Sequence, residues 1–153
     1  MRSLDVSSSH VLLVDDEAPI RRILARWLEP LGYKTEEADC AEAAVDAMTA
    51  NPAAVVFCDI QMPGKGGLWL TTALRERFPQ SAIILATGVT TGPGNMSMRH
   101  GVLAYITKPF EERLVRKAIE TAMSWHDAAV AAGPQPTPSK DEDAELQAWL
   151  NSI

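Results

Sequence analysis

Apolar runs of strand length recur along this chain, and each is followed by a stretch with helical spacing. "VLLV" (11–14), "AAVVFCD" (53–59), "SAIILAT" (81–87) and "LAYIT" (103–107) are the clearest runs, and "YKTEEA" (33–38) is a shorter, more polar one. "AAVVFCD" is continuous and partly β-branched, the pattern of a central strand covered on both faces. After the first run, Ile20, Ile23, Leu24, Trp27, Leu28 and Leu31 recur at helical spacing. That predicts a helix over 17–30 capped by Asp16, with Pro19 in the first turn and Gly32 just past the end. Residues 41–50 are Ala-rich and helical, 67–77 form a third helix that Pro79 keeps from continuing, and Phe110 to about Ala132 is the longest helical stretch. Five strand-then-helix units predict an α/β domain with a parallel sheet and helices on both faces.

In such a sheet ligands bind beyond the carboxyl ends of the strands. The residues at those ends are unusual. Asp15 and Asp16 follow the first strand directly, Asp59 ends the third, Thr87 the fourth, and Lys108 follows the fifth. Alone, the Asp15-Asp16 pair reads as a helix cap plus a solvated charge, Asp59 as a loop aspartate and Lys108 as a surface lysine. Together on one rim, three carboxylates would raise one another's pKa values and resist joint ionisation. A divalent cation removes that conflict. Mg²⁺ prefers oxygen ligands and binds through a few carboxylates plus phosphate oxygens. Lys108 and the Thr87 hydroxyl would then face a phosphoryl group.

Composition excludes several alternatives. The net charge of -6 disfavours a nonspecific grip on nucleic-acid phosphates. No apolar run is long enough to span a bilayer. "MRSLDVSSSH" lacks the apolar centre of a signal peptide, so a cytoplasmic location is expected. The 2 cysteines, Cys40 and Cys58, form no CxxC pair and read as small hydrophobes, and the 3 histidines have no metal-ligand spacing. The 4 tryptophans read as packing residues. "GKGG" and "GPGN" match neither GxxxxGK[ST] nor GxGxxG, so nucleotide binding is not indicated.

Four motifs in order, "LLVDDE" (12–17), "CDIQMPGKGG" (58–67), "ILATG" (84–88) and "AYITKPF" (104–110), make the sequence resemble a receiver domain of two-component response regulators. The resemblance covers roughly residues 10–130. It implies a doubly wound, five-stranded parallel sheet in the order 2-1-3-4-5, a flavodoxin-like three-layer sandwich. It also implies that Asp59 is the phospho-acceptor and that Mg²⁺ is held by Asp15, Asp16, Asp59 and the backbone carbonyl of Gln61. By the same resemblance Lys108 pairs with the phosphoryl group, Thr87 turns toward it, Tyr105 swings inward, and Lys108-Pro109 is a cis peptide. The implied donor is a sensor histidine kinase or phosphotransfer protein, and the implied output is a downstream protein effector. The chain would be a signalling phospho-acceptor and not an enzyme in the ordinary sense.

Two other functions compete. A degenerate receiver would act as a constitutive docking module, against which the intact acidic set argues. A dehalogenase-like phosphohydrolase would need an acid two residues after the nucleophile, where this chain has Gln61. The chain departs from the receiver pattern at "GVTTGPGNMSMRHG" (88–101), whose Gly92, Pro93 and Gly94 break helices and predict a short or displaced fourth helix. Lys65 and Gly66 replace a hydrophobic-acidic pair, and Gln61 and Val89 flank the expected path of attacking water.

The expected organisation is an N-terminal extension (1–9), the receiver (10–132), a Pro-rich linker (133–140) and a short amphipathic helix (141–153). Leu146, Trp149, Leu150 and Ile153 form one apolar stripe on that helix. It could fold back, dock on a partner or lead into a longer parent protein. Too few residues follow 133 for a helix-turn-helix, so direct DNA binding by this chain is not expected. A homodimer through the fourth- or fifth-helix face is compatible with these residues and not decided by them.

Overall fold

The computed structural model describes residues 10–87 and 102–133, without the side chains of Leu68, Thr87 and residues 102–105. The expected extension, the 88–101 helix, the linker beyond Gly133 and the C-terminal helix lie outside the described residues.

Five strands form one sheet: β1 (His10–Val14), β2 (Lys34–Ala38), β3 (Val55–Asp59), β4 (Ala82–Thr87) and β5 (Val102–Thr107). Their order is β2-β1-β3-β4-β5 and all four pairings are parallel, as the receiver resemblance implies. The four described helices are α1 (Ala18–Leu28), α2 (Ala41–Ala50), α3 (Gly67–Arg77) and α4 (Glu112–Ala132).

The pleat explains the continuous apolar runs. Successive strand residues point to opposite faces, and each face meets its own helices. Leu12, Val14, Val56, Cys58, Ile83 and Leu85 pack with Ala44 and Met48 of α2 and Leu70 and Leu74 of α3. Val11, Leu13, Val55, Phe57, Ile84 and Ala86 pack with Leu24 and Leu28 of α1 and Val115, Ile119 and Ala122 of α4. A strand buried on both sides cannot alternate apolar with polar residues. Only β2, at one edge, carries mostly polar residues, and of its five only Ala38 is buried. Charges on an exposed edge discourage pairing with another chain.

The start of α1 differs from expectation. Asp16 does not cap it: Glu17 occupies the N-cap position, and no side chain accepts a capping bond there. Asp15 Oδ1 instead accepts the Glu17 N–H at 2.9 Å, closing the turn one residue earlier. Pro19 lies in the first turn, where a missing N–H leaves no bond unmade. A 3-10 turn (Glu29–Leu31) ends at Gly32, whose φ of 98° is the left-handed conformation glycine adopts most readily. Cys40 also departs from expectation. It caps α2, its Sγ accepting the Ala43 N–H at 3.4 Å.

Candidate functional site

Register brings the site together. Val14 pairs with Cys58, so Asp15 and Asp59, each one residue further on, stand level at the carboxyl rim. Asp59 pairs with Ala86, and Thr87 pairs with Thr107, the residue before Lys108. Asp15 and Asp59 are buried, at 2% and 4% exposure. Lys108 Nζ lies 3.2 Å from Asp15 Oδ2 and 3.3 Å from Asp59 Oδ2. It also lies 3.7 Å from Glu17 Oε2.

Each side chain is fixed by its surroundings. Asp59 Oδ1 accepts the Gln61 N–H at 3.2 Å. The loop after β3 returns so closely that the ideal Cβ position on Gly67 falls 2.6 Å from Ile60 Cα and 3.0 Å from the Asp59 carbonyl oxygen. Only glycine fits there, and its N–H donates to Ile60 O at 3.0 Å. Gly64, in the same loop, has a φ of 74°. On the other side, the Lys108–Pro109 bond is cis. Phe110 meets Phe57 edge-to-face, with ring centroids 5.4 Å apart and planes at 88°. Phe57 precedes Asp59 by two residues and Phe110 follows Lys108 by two, so one aromatic contact ties together the strand ends that carry the acid and the base.

The electrostatics are those of a crowded acidic pocket. Burial pushes the Asp59 carboxyl above its ordinary range, and the Asp15 charge adds to this; Lys108 and the Gln61 N–H pull the other way without cancelling it. Burial works against the charged form of Lys108, but Asp59 and Asp15 outweigh it and hold the ammonium above the ordinary lysine range. The Cys58 thiol beside them is pushed up by burial, then by Asp59 and Asp15, and stays neutral.

A group of carboxylates suited to a metal is also present, with a membership that sequence reasoning did not foresee. Asp15, Asp16 and Glu17 offer oxygen atoms within 4.8 Å of one another, Asp15 buried and the other two exposed. Asp59 meets this group through Lys108. The all-oxygen donor set suits a hard divalent cation such as Mg²⁺. Glu17 was the missed residue, and its position directly after the acidic pair was the available signal.

The other expected site residues stand as follows. Gln61 is two residues past Asp59, its N–H turned to that carboxylate. Thr87 ends β4, and Tyr105 pairs with Leu85 in β5. The side chains of both lie outside the described residues. Trp69 is 37% exposed, and Lys65 Nζ sits 4.5 Å from its ring centroid. Trp27 and Trp125 do pack against the core.

Comparison with known proteins agrees with this fold. The model of the response regulator receiver domain family matches residues 11–120. Response regulator protein FleR of Pseudomonas aeruginosa is 33% identical over 107 residues, covering 69% of this chain and 23% of FleR. Transcriptional regulatory protein SrrA of Staphylococcus aureus is 33% identical over 109 residues, covering 71% of this chain and 45% of SrrA. A CheY-like receiver domain protein from Methanospirillum hungatei superimposes with a TM-score of 0.71 at 25% identity, over 78% of this chain and 97% of that one. The chain spans less than two thirds of the length of the curated relatives it matches, from 23% to 60%.

Proposed function

Because this chain belongs to the response regulator receiver family of two-component signalling, we propose that it is a phospho-acceptor in which Mg²⁺-dependent phosphorylation of Asp59 switches protein–protein contacts. The observation that carries this reading is Lys108 Nζ placed 3.2 Å from Asp15 and 3.3 Å from Asp59.

An Asp59 oxygen attacks the phosphorus of a phosphohistidine on a sensor kinase or phosphotransfer protein. The new O–P bond forms as the P–N bond breaks, and the imidazole leaves with a proton. A carboxylate is a competent nucleophile for this transfer. The reaction depends more on positioning and charge neutralisation than on covalent help. Lys108 neutralises charge on the phosphoryl oxygens from one side. Asp15 and Asp16 would hold the cation on the other, with Asp59 and the Gln61 carbonyl completing the set; bound there, Mg²⁺ neutralises phosphoryl oxygens and screens the carboxylates from one another. The Gln61 N–H holds Asp59 Oδ1, and Oδ2, which faces Lys108 Nζ at 3.3 Å, is the oxygen that attacks as Lys108 turns to the phosphoryl group. Thr87 turns to the phosphoryl group and Tyr105 follows it inward. Water attack on phosphorus later restores the carboxylate.

The phosphorylated state biases a two-state equilibrium that an effector reads. Among the described residues no helix is long and apolar enough to cross a membrane, and a cytoplasmic site of action follows from the family reading. A small P–N donor, phosphoramidate, tests the assignment. After incubation with Mg²⁺ and borohydride reduction, peptide mapping is expected to find homoserine at position 59. Homoserine elsewhere, or none, would overturn it.

A further inference from the structure

Asp15 makes four contacts, and one of them comes from an arginine of α1. Its N–H donates to Ala38 O at 3.1 Å, its Oδ1 accepts the Glu17 N–H at 2.9 Å, and its Oδ2 faces Lys108 at 3.2 Å. Its carbonyl oxygen accepts from Arg21 Nη1 at 2.6 Å. The same guanidinium donates through Nε to Glu37 Oε1 of β2 at 2.8 Å. Arg21 belongs to α1, so one side chain joins the helix, the edge strand and the turn that bears the acidic group.

We propose that Arg21 is a positioning residue for the cation site: by holding the Asp15 carbonyl, with Glu37 as its anchor, it sets the direction in which the turn presents Asp15, Asp16 and Glu17. The inference rests on the divalent-cation reading above. A pinned carbonyl fixes the peptide plane that leads into Asp16, and with it where the Asp16 carboxylate points. The planar guanidinium serves two acceptors in fixed directions, which a lysine ammonium on a flexible stem does not reproduce. Groups that orient metal ligands without touching the metal commonly govern affinity.

Charge and positioning make opposite predictions here. A guanidinium near a cation site repels the cation, so a mere charge, once removed, would leave binding tighter. A clamp, once removed, leaves it weaker.

The test is titration of the full chain with Mg²⁺ by calorimetry, with a thermal melt of each variant in EDTA to establish that it is folded. Arg21→Ala is expected to weaken Mg²⁺ binding on the order of tenfold. Glu37→Leu, which keeps the Arg21 charge and removes the oxygen that anchors it, weakens it by less. Arg21→Lys recovers only part of the affinity. Arg22→Ala, one residue on and exposed, removes the same charge and leaves binding unchanged or tighter. Wild-type affinity or better in folded Arg21→Ala would overturn the proposal. Should that variant fail to fold, wild-type affinity in both Glu37→Leu and Arg21→Lys would overturn it equally. A wild-type chain that binds no Mg²⁺ would remove the cation reading itself along with the inference, a result distinct from either.

Discussion

Lys108 and Asp59 face each other across 3.3 Å at the carboxyl rim, although 49 positions of sequence separate them. The same ammonium reaches Asp15 at 3.2 Å. One cation thus bridges two buried carboxylates carried by neighbouring strands.

Removing the cation is therefore expected to destabilise the fold. Lys108→Ala leaves Asp15 and Asp59 buried without their shared partner, a change worth about 2–3 kcal/mol, less than for a fully buried pair because Lys108 is partly exposed. The Lys108 value is raised in the folded state. Its contribution is thus complete below the ordinary lysine range and is lost as pH rises through the raised value. Urea unfolding at neutral and strongly alkaline pH checks this: the gap between wild type and variant should narrow at the alkaline end.

Asp59→Asn has the opposite sign. Burial, then Asp15, holds the Asp59 carboxyl above its ordinary range. In the unfolded chain it ionises at lower pH, so wild-type stability falls as pH rises from the ordinary carboxylate range through the raised value. The neutral isostere escapes that loss. In EDTA at neutral pH it should be more stable by on the order of 1 kcal/mol. The advantage should shrink as pH drops through the same window, which melts across the acid range would detect.

Adjacent glycines should respond differently. A Cβ at Gly67 falls 2.6 Å from Ile60 Cα, against backbone that cannot step aside, whereas at Gly66 the nearest atom is 3.4 Å away. Gly67→Ala is expected to lose about 2 kcal/mol in denaturant unfolding. Gly66→Ala should lose well under half of that.

The edge-to-face contact of Phe57 and Phe110 predicts a measurable coupling. In a double-mutant cycle with Phe57→Leu and Phe110→Leu, the double variant should lose roughly 0.5–1.5 kcal/mol less than the sum of the single changes. Additive effects would mean that the two strand ends are not tied through these rings.

The strands and the rim were legible because their signals are local. An apolar run such as 53–59 marks a strand buried on both faces, and a polar residue at its end marks the rim. The sheet order came from resemblance, since the residues alone left several right-handed topologies open. What could not be read was contact between distant segments. Nothing near Arg21 announces that it spans from the Asp15 carbonyl to Glu37, and nothing near Phe57 points to Phe110. The capping of α1 was misread for a related reason. Asp16 has the right residue type and position, but the turn is closed by Asp15, whose carboxylate Lys108 also holds from 93 residues away.

Intact mass after exposure to acetyl phosphate tests the central claim most directly. The wild-type chain should gain one phosphoryl group in Mg²⁺ and none in EDTA, and Asp59→Asn should gain none in either. A phosphorylated Asp59→Asn chain, or a wild-type chain that gains nothing in Mg²⁺, would contradict the account.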